Sequence, residues 1–425
     1  MSGYTRLGNN LFDPITGALV GVVAPDGTEA LTAAAPTASR RYSRAASKQW
    51  GYLSTAADIA DFTHQLVEET PAPWESVRAH ILNPFAATFD VNVGLHNPAN
   101  VTLSATGALP AALAYKSGAL TVPAALVAPV GGHAMDLGVL TTPWQIMNST
   151  ARDDGGSFHL GMIRVYLPLG TAHGRFSIAA SEIAAFNAYA DRKIFGWQKS
   201  TDGVGTEANF TGASSAIGFL SPGSVLEYRF RERVLTMAVV GDSTLEFSPG
   251  TTIRFDSFVQ RVCAQFTATG VKAMPLNIAA SGETSASYYA QTVKYLTLIK
   301  PSMVWYQMHS VNDFGAEAAG IAGEWSRMVQ LQELCESLGI LFGVISAMPS
   351  AAAFTVGKMA QHTQAKAKAA AEGTPFLDRV SVLGNADGTW KLPSPSVDTA
   401  DNIHPTTVAT IKLAAAAYPL VSRLF

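Results

Sequence analysis

The sequence predicts a mostly antiparallel β portion followed by an α/β portion built on a parallel sheet covered on both faces. Three observations carry this. Before about residue 232 apolar residues recur with period two: Ile163, Val165 and Leu167 against Arg164 and Tyr166, and Leu226, Tyr228 and Phe230 against Glu227, Arg229 and Arg231. After Arg233 the apolar residues come as unbroken runs of strand length, LTMAVV (235–240), MVWYQM (303–308) and ILFGVISAM (340–348), as suits strands buried on both faces. Between those runs the spacing turns helical, and buried strands alternating with helices make a parallel sheet.

In chain order, residues 1–40 are rich in Gly, Ala, Thr and Pro, with turn pairs Asn9-Asn10 and Asp26-Gly27, and predict an extended lead segment. Residues 41–232 form the β-rich part, with one sheet face expected to be wet and a short helix in SEIAAFNAYADRK (181–193). The boundary falls near 231–236, and residues 233–425 form the second domain. There, Phe255, Phe258, Val259, Val262 and Phe266 lie on one helical stripe. Ile321, Trp325, Met328, Leu331, Leu334 and Leu338 mark a long amphipathic helix, and a last helix runs from about Pro405 to Phe425.

Composition narrows the function. With 425 residues, 48% hydrophobic and 14% charged, the chain has material for two or three folded domains. A net charge of −3 offers no basic field for nucleic acid. No run of about 18 apolar residues predicts a membrane span, and the N-terminal residues lack the charged-then-apolar layout of a signal peptide. Cys263 and Cys335 fall on apolar helix faces and are expected to be buried free thiols. Three N-x-[ST] sequons occur, at Asn100, Asn148 and Asn209. The HExxH, GxGxxG and P-loop patterns are missing, so neither a metal nor a nucleotide cofactor is expected.

Four strand-end segments carry residues suited to chemistry, because reacting groups gather at the carboxyl ends of such sheets. Gly241-Asp242-Ser243 follows LTMAVV; it is either a tight turn or a mount for a nucleophilic hydroxyl. Gly282, in NIAASGETS (277–285), either meets a need for positive φ or lets a backbone N–H approach a substrate oxygen. In HSVND (309–313), Asn312 and Asp313 cap a helix, or the Asn312 amide points across the strand ends; His309 reads as structural. In DNIHP (401–405), the i, i+3 spacing lets the Asp401 carboxylate reach Nδ1 of His404, leaving Nε2 to take a proton from a hydroxyl. A surface turn is the alternative. Asp398 is a second possible partner for His404. Thr244, Glu283, Phe314 and Met348 stand near enough in sequence to line a pocket.

Taken together and in order, these segments resemble the four blocks of the SGNH hydrolases, the GDSL-type esterase and lipase superfamily, over about residues 235–425. Gly241-Asp242-Ser243-Thr244-Leu245 matches the first block and Ser281-Gly282-Glu283-Thr284 the second. Asn312-Asp313 matches the third, with Ser310 where the family has Gly. Asp401 and His404 match the last. The resemblance implies a flavodoxin-like three-layer fold and a serine esterase working through an acyl-enzyme. It assigns Ser243 as nucleophile, His404 as general base and Asp401 as its orienting acid. The oxyanion hole would be formed by the Ser243 and Gly282 N–H groups and the Asn312 amide.

The lead segment GNNLFDPITGALVGVVAPDGTEAL is similar to the starts of some bacteriophage tail proteins. That likeness implies synthesis in the cytoplasm, a virion-associated role outside the cell, and other virion proteins as partners, in an oligomer or alone. The expected substrate is an acylated carbohydrate, most simply an O-acetylated polysaccharide, or another small ester. Three alternatives stay open: a virion structural or adhesion protein whose hydrolase domain is inactive, a sugar-binding β-rich part that does the specific work with the esterase incidental, and a lipase or esterase of small lipid esters.

Overall fold

The protein is described from a computed structural model covering residues 62–83, 86–98, 111–127, 134–147, 149–151, 159–168, 172–175, 225–246, 257–279, 282–313 and 317–425, with short strands elsewhere. The expected helix at 181–193, the three sequon asparagines, Phe255, Ser281 and Phe314 lie outside the described residues.

Within the opening stretch, expected to be extended, four strands pair into an antiparallel sheet, Thr5–Leu7, Asn10–Phe12, Leu19–Val23 and Glu29–Leu31. Leu7 stands opposite Asn10 and Val23 opposite Glu29.

Two further antiparallel sheets enclose one apolar core. Their strands are β1 (Ser43–Ser47), β2 (Phe62–Thr70), β3 (Trp74–Asn83), β4 (Phe89–Pro98), β5 (Ala111–Lys116), β6 (Gly138–Thr141), β7 (His159–Leu167), β8 (Ile194–Lys199) and β9 (Val225–Phe230). One sheet has the order β5-β4-β7-β2-β8 and the other β6-β3-β9-β1. The period-two residues do as expected: Ile163, Val165 and Leu167 of β7 share one core with Leu226, Tyr228 and Phe230 of the facing sheet, joined there by Val91, Val93 and Leu95 of β4 and by Trp74 and Val77 of β3.

The expectation of a wet outer face is corrected. Arg164 and Glu227, on the alternate positions, are fully buried. Glu227 accepts hydrogen bonds from Arg78 Nε at 2.6 Å and pairs with His80 Nε2 at 3.0 Å. The Arg78 and Arg229 guanidiniums both lie over the Trp144 ring, 4.7 and 4.1 Å from its centre. A charged residue that finds a partner can be covered, so alternation alone does not show which face meets water.

The second part is a parallel sheet of β10 (Leu235–Val240), β11 (Ala273–Asn277), β12 (Met303–Gln307), β13 (Leu341–Ile345) and β14 (Phe376–Leu377), in the order β11-β10-β12-β13-β14. The first strand pairs with both its successors, Val239 opposite Asn277 and Val240 opposite Tyr306. All six residues of β10 are buried. Helices α1 (Ser243–Glu246), α2 (Phe258–Ala268), α3 (Ser285–Ile299), α4 (Glu317–Leu338), α5 (Val356–Glu372), α6 (Arg379–Leu383) and α7 (Thr407–Val421) connect or follow the strands. Helices α2 and α7 pack on the Met237, Val239 and Trp305 side. Helices α3 and α4 pack on the Ala238, Val240, Val304 and Tyr306 side, joined there by Ala365 of α5. This is the three-layer arrangement expected. Cys263 and Cys335 are free and buried as read, and burial pushes the Cys335 thiol up to about 12.

Two details differ from expectation. The last helix is capped by Thr406, whose side chain accepts from Ala409 N, so Pro405 lies just outside its first turn. Helix α5, unread in the sequence, is bounded by Thr355 as N-cap and by Gly373 at φ +70.

The chain passes from β9 to β10 through residues 231–234, where the boundary was expected, yet the apolar packing crosses that point. Met274 of β11 belongs to the sandwich core, and Leu82, Leu137 and Val225 belong to the core beneath α3 and α4. Lys272 also pairs with Glu232 at 2.6 Å.

Candidate active site

In the order β11-β10-β12 the chain leaves β10 in one direction and returns to its other side. The carboxyl ends of β10 and β12 therefore flank a topological switch point. Gly241 is needed there because a Cβ would stand 2.3 Å from Gln307 Oε1 and 2.8 Å from Leu245 Cδ1. The turn it permits carries Ser243 into α1, where Leu245 N donates to the Asp242 carbonyl at 3.0 Å.

Ser243 Oγ lies 2.9 Å from His404 Nε2, and Asp401 Oδ2 lies 2.6 Å from His404 Nδ1. These residues span 161 positions of sequence and meet at one point. Ser243 is buried, whereas the His404 and Asp401 side chains are 22% and 44% exposed, so the dyad faces solvent while the hydroxyl is sheltered. The Asp401 carboxylate also accepts from the backbone N–H groups of Ile403 and His404, at 2.9 and 2.7 Å. Burial pushes its pKa upward, but the hydrogen bonds from the His404 ring and those two N–H groups outweigh it and hold the carboxyl below its ordinary range.

The loop bearing the dyad is closed on itself. Thr406 N donates to the Asp398 carbonyl at 3.0 Å, and Trp390 Nε1 donates to the Asn402 carbonyl at 2.9 Å. Asn402 takes φ +63, a left-handed conformation that Asn tolerates. Asp398, the second candidate partner, instead accepts from Lys412 Nζ at 2.6 Å.

Asp242 joins the first segment to the third. Its Oδ1 accepts from Thr244 N and Thr244 Oγ1, at 2.9 and 2.7 Å. Its Oδ2 accepts from Gln307 Nε2 (2.9 Å), Ser310 Oγ (3.0 Å) and Val311 N (2.8 Å). Ser310, which stands in the Gly position of the third block, is buried. Its hydroxyl reaches the Asp242 carboxylate and the Glu283 carbonyl (2.8 Å) and accepts from Asn312 N (3.0 Å). It is turned into the protein and ties three segments together.

Gly282 has φ +78 and is exposed, so the need for positive φ is real. Asn312 is exposed as well, and its Nδ2 donates to the Glu283 carbonyl at 3.0 Å, which sets the third segment against the second. Asp313, read as a cap for the helix after it, instead accepts from Ser285 N of α3 at 3.1 Å. Burial, then a hydrogen bond with Glu324, pushes the Asp313 carboxyl up to about 6 against the lowering effect of Ser285. His309, read as structural, is buried with Nδ1 on Glu324 Oε2, and burial drives its pKa down to about 3.

Of the residues considered for a pocket lining, Thr244 and Glu283 are buried and Met348 belongs to the core beside α2 and α7. Gln307, Ser346 and Arg379 bond within this region without having been singled out from the sequence. Their only sequence signal is position, each at or just beyond the carboxyl end of a strand. Among the described residues, no group of three His, Cys, Asp or Glu side chains is placed to hold a metal ion, and no helix is long and apolar enough to cross a membrane.

Comparison with solved structures finds several that align with part of this chain. A GDSL-like lipase from Bacteroides thetaiotaomicron is 19% identical over 45% of this chain and 89% of its own, with a TM-score of 0.34. A psychrotrophic esterase from Pseudoalteromonas sp. is 15% identical over 44% of this chain and 97% of its own, at 0.35. A lipase/acylhydrolase from Enterococcus faecalis is 16% identical over 45% and 97%, at 0.34. Each of these alignments takes in somewhat less than half of this chain. No known family model and no curated protein matches it.

Proposed function

We propose that the chain is a serine esterase that cleaves carboxylic esters through an acyl-enzyme. The observation that supports this reading is the continuous line Ser243 Oγ, His404 Nε2, His404 Nδ1, Asp401 Oδ2, with steps of 2.9 and 2.6 Å. In the proposed reaction His404 takes the Ser243 proton as the oxygen attacks the ester carbonyl, and Asp401 stabilises the imidazolium. The backbone N–H groups of Ser243 and Gly282 and the second Nδ2 hydrogen of Asn312 would receive the oxyanion, the first Nδ2 hydrogen being held by Glu283. The alcohol leaves with the proton from His404, and water, deprotonated by the same imidazole, then releases the acid.

Within that class we propose O-deacetylation of a polysaccharide. A sheltered hydroxyl beside a solvent-facing dyad suits a small acyl group on a large hydrophilic alcohol, and a β sandwich precedes the hydrolase part. The likeness of the lead segment to phage tail proteins motivates placing the reaction on host surface glycan. The test is hydrolysis of p-nitrophenyl acetate by wild type, Ser243→Ala and His404→Ala. Each variant should lose on the order of 10⁶ in kcat. Equal rates in all three would leave a virion structural or adhesion role. Acetate release from acetylated polysaccharides, alongside a series of acyl chain lengths, tests the substrate. A preference for long acyl chains would favour lipid esters.

A further inference from the structure

Beside the turn that carries Ser243 lies a buried cation that the proposed machinery does not use. Arg379 opens α6 just beyond β14, three strands from β10, and is fully buried. Its backbone N–H donates to Ser346 Oγ at 2.8 Å and its Nε to the Ser346 carbonyl at 2.7 Å, so it is anchored at the end of β13. From there Nη1 donates to Thr244 Oγ1 at 3.0 Å. The Thr244 hydroxyl spends its single proton on Asp242 Oδ1 at 2.7 Å. The buried guanidinium is thus linked to the buried Asp242 carboxylate through one hydroxyl, and its charge is balanced there. Burial lowers the Arg379 pKa to about 10, with Asp242 opposing the fall.

Ser243 sits between the two residues so held. Asp242 is tied to Gln307, Ser310 and Val311 on one side, and Thr244 is tied to Arg379 on the other. We infer that Arg379 is a positioning residue for the nucleophile, acting through the Thr244 hydroxyl and the Asp242 carboxylate to hold Ser243 in register with His404. This rests on the ester-hydrolysis reading. Hydroxyl and imidazole are productive only over a narrow range of distance and direction, and displacement of about 1 Å can cost 10²-fold.

The experiment compares wild type, Thr244→Val, Thr244→Ser, Arg379→Lys and Ser243→Ala. Measured are kcat and KM for p-nitrophenyl acetate and the rate at which a fluorophosphonate labels Ser243, read by intact mass. Thr244→Val keeps the side-chain shape and breaks the link. It should lower kcat and the labelling rate by about 10–100-fold with KM within about twofold. Thr244→Ser should restore most of that loss, and Arg379→Lys, whose single nitrogen cannot bridge Ser346 and Thr244, should resemble Thr244→Val. Thermal melts identify any variant that fails to fold, and Thr244→Val decides the question if Arg379→Lys does not. Wild-type kcat and labelling in Thr244→Val, or a Thr244→Ser as slow as Thr244→Val, would overturn the inference alone. Wild-type turnover and labelling that do not depend on Ser243 would overturn it together with the esterase reading.

Discussion

Asp401 shows how exposure limits what a single residue can contribute. Its carboxylate orients His404 through a 2.6 Å contact, yet nearly half of the side chain meets water. Replacement of a buried triad aspartate by asparagine costs about 10⁴ in turnover. Here solvent can partly stand in, so Asp401→Asn should cost roughly 10³-fold in kcat for p-nitrophenyl acetate, with KM little changed. Ser310 is the opposite case. Buried, its hydroxyl has one proton within reach of both the Asp242 carboxylate and the Glu283 carbonyl, and its oxygen accepts from the Asn312 N–H. Ser310→Gly would restore the residue usual in the resembled motif and still weaken this protein. We expect a loss of about 1–3 kcal/mol in denaturant unfolding, because the groups it serves stay buried.

At the scale of elements, the turn that carries Ser243 depends on how closely β10 and β12 approach. Gln307, the last residue of β12, lies against Gly241 and also donates to Asp242. Gly241→Ala must push the Gln307 amide or Leu245 aside, which should cost about 1–3 kcal/mol. It should also lower turnover, measured as a reduced melting temperature together with a reduced kcat. The clash is with side chains, and the glycine is required for space. Gly282 is required for its φ of +78. Both glycines read alike in sequence, and only their surroundings separate the two reasons.

At the scale of the whole molecule, two half-buried carboxyls pull stability in opposite directions with pH. Asp313 titrates near 6 in the folded state, above its unfolded value, so the folded chain holds more protons between about pH 4 and 6. Stability from this group is therefore present at low pH and lost as pH rises through about 6. Asp313→Asn keeps an acceptor for Ser285 N and removes the charge, so relative to wild type it should gain stability at pH 8 and gain little at pH 4.5. Asp378 has the other sign. Burial raises its pKa, but hydrogen bonds from His362, Lys366 and Ser381 outweigh this and hold it far below its ordinary range. Its contribution is present above about pH 4 and is lost on further acidification. Urea unfolding across pH 3–8 checks both signs. The shared packing of Met274, Leu82, Leu137 and Val225 makes a further prediction. Residues 233–425 expressed alone should melt several degrees below the full chain, because apolar surface now covered would meet water.

The sequence by itself determined the parts that depend on local chemistry. The period of the apolar residues separated an antiparallel sandwich from a parallel sheet. The short segments at strand ends named Ser243, Asp401 and His404 before any distance was available. The i, i+3 spacing of Asp401 and His404 is local, so their contact was legible as well. What only the tertiary structure decided depends on long-range meetings. The 2.9 Å approach of Ser243 to His404 follows from the strand order, which no single segment encodes. The inward turn of Ser310, the five donors around Asp242 and the reach of Arg379 to Thr244 join residues up to 135 positions apart. The covering of Arg164 and Glu227 was illegible for the same reason: alternation tells which residues share a face, and only packing tells what that face meets.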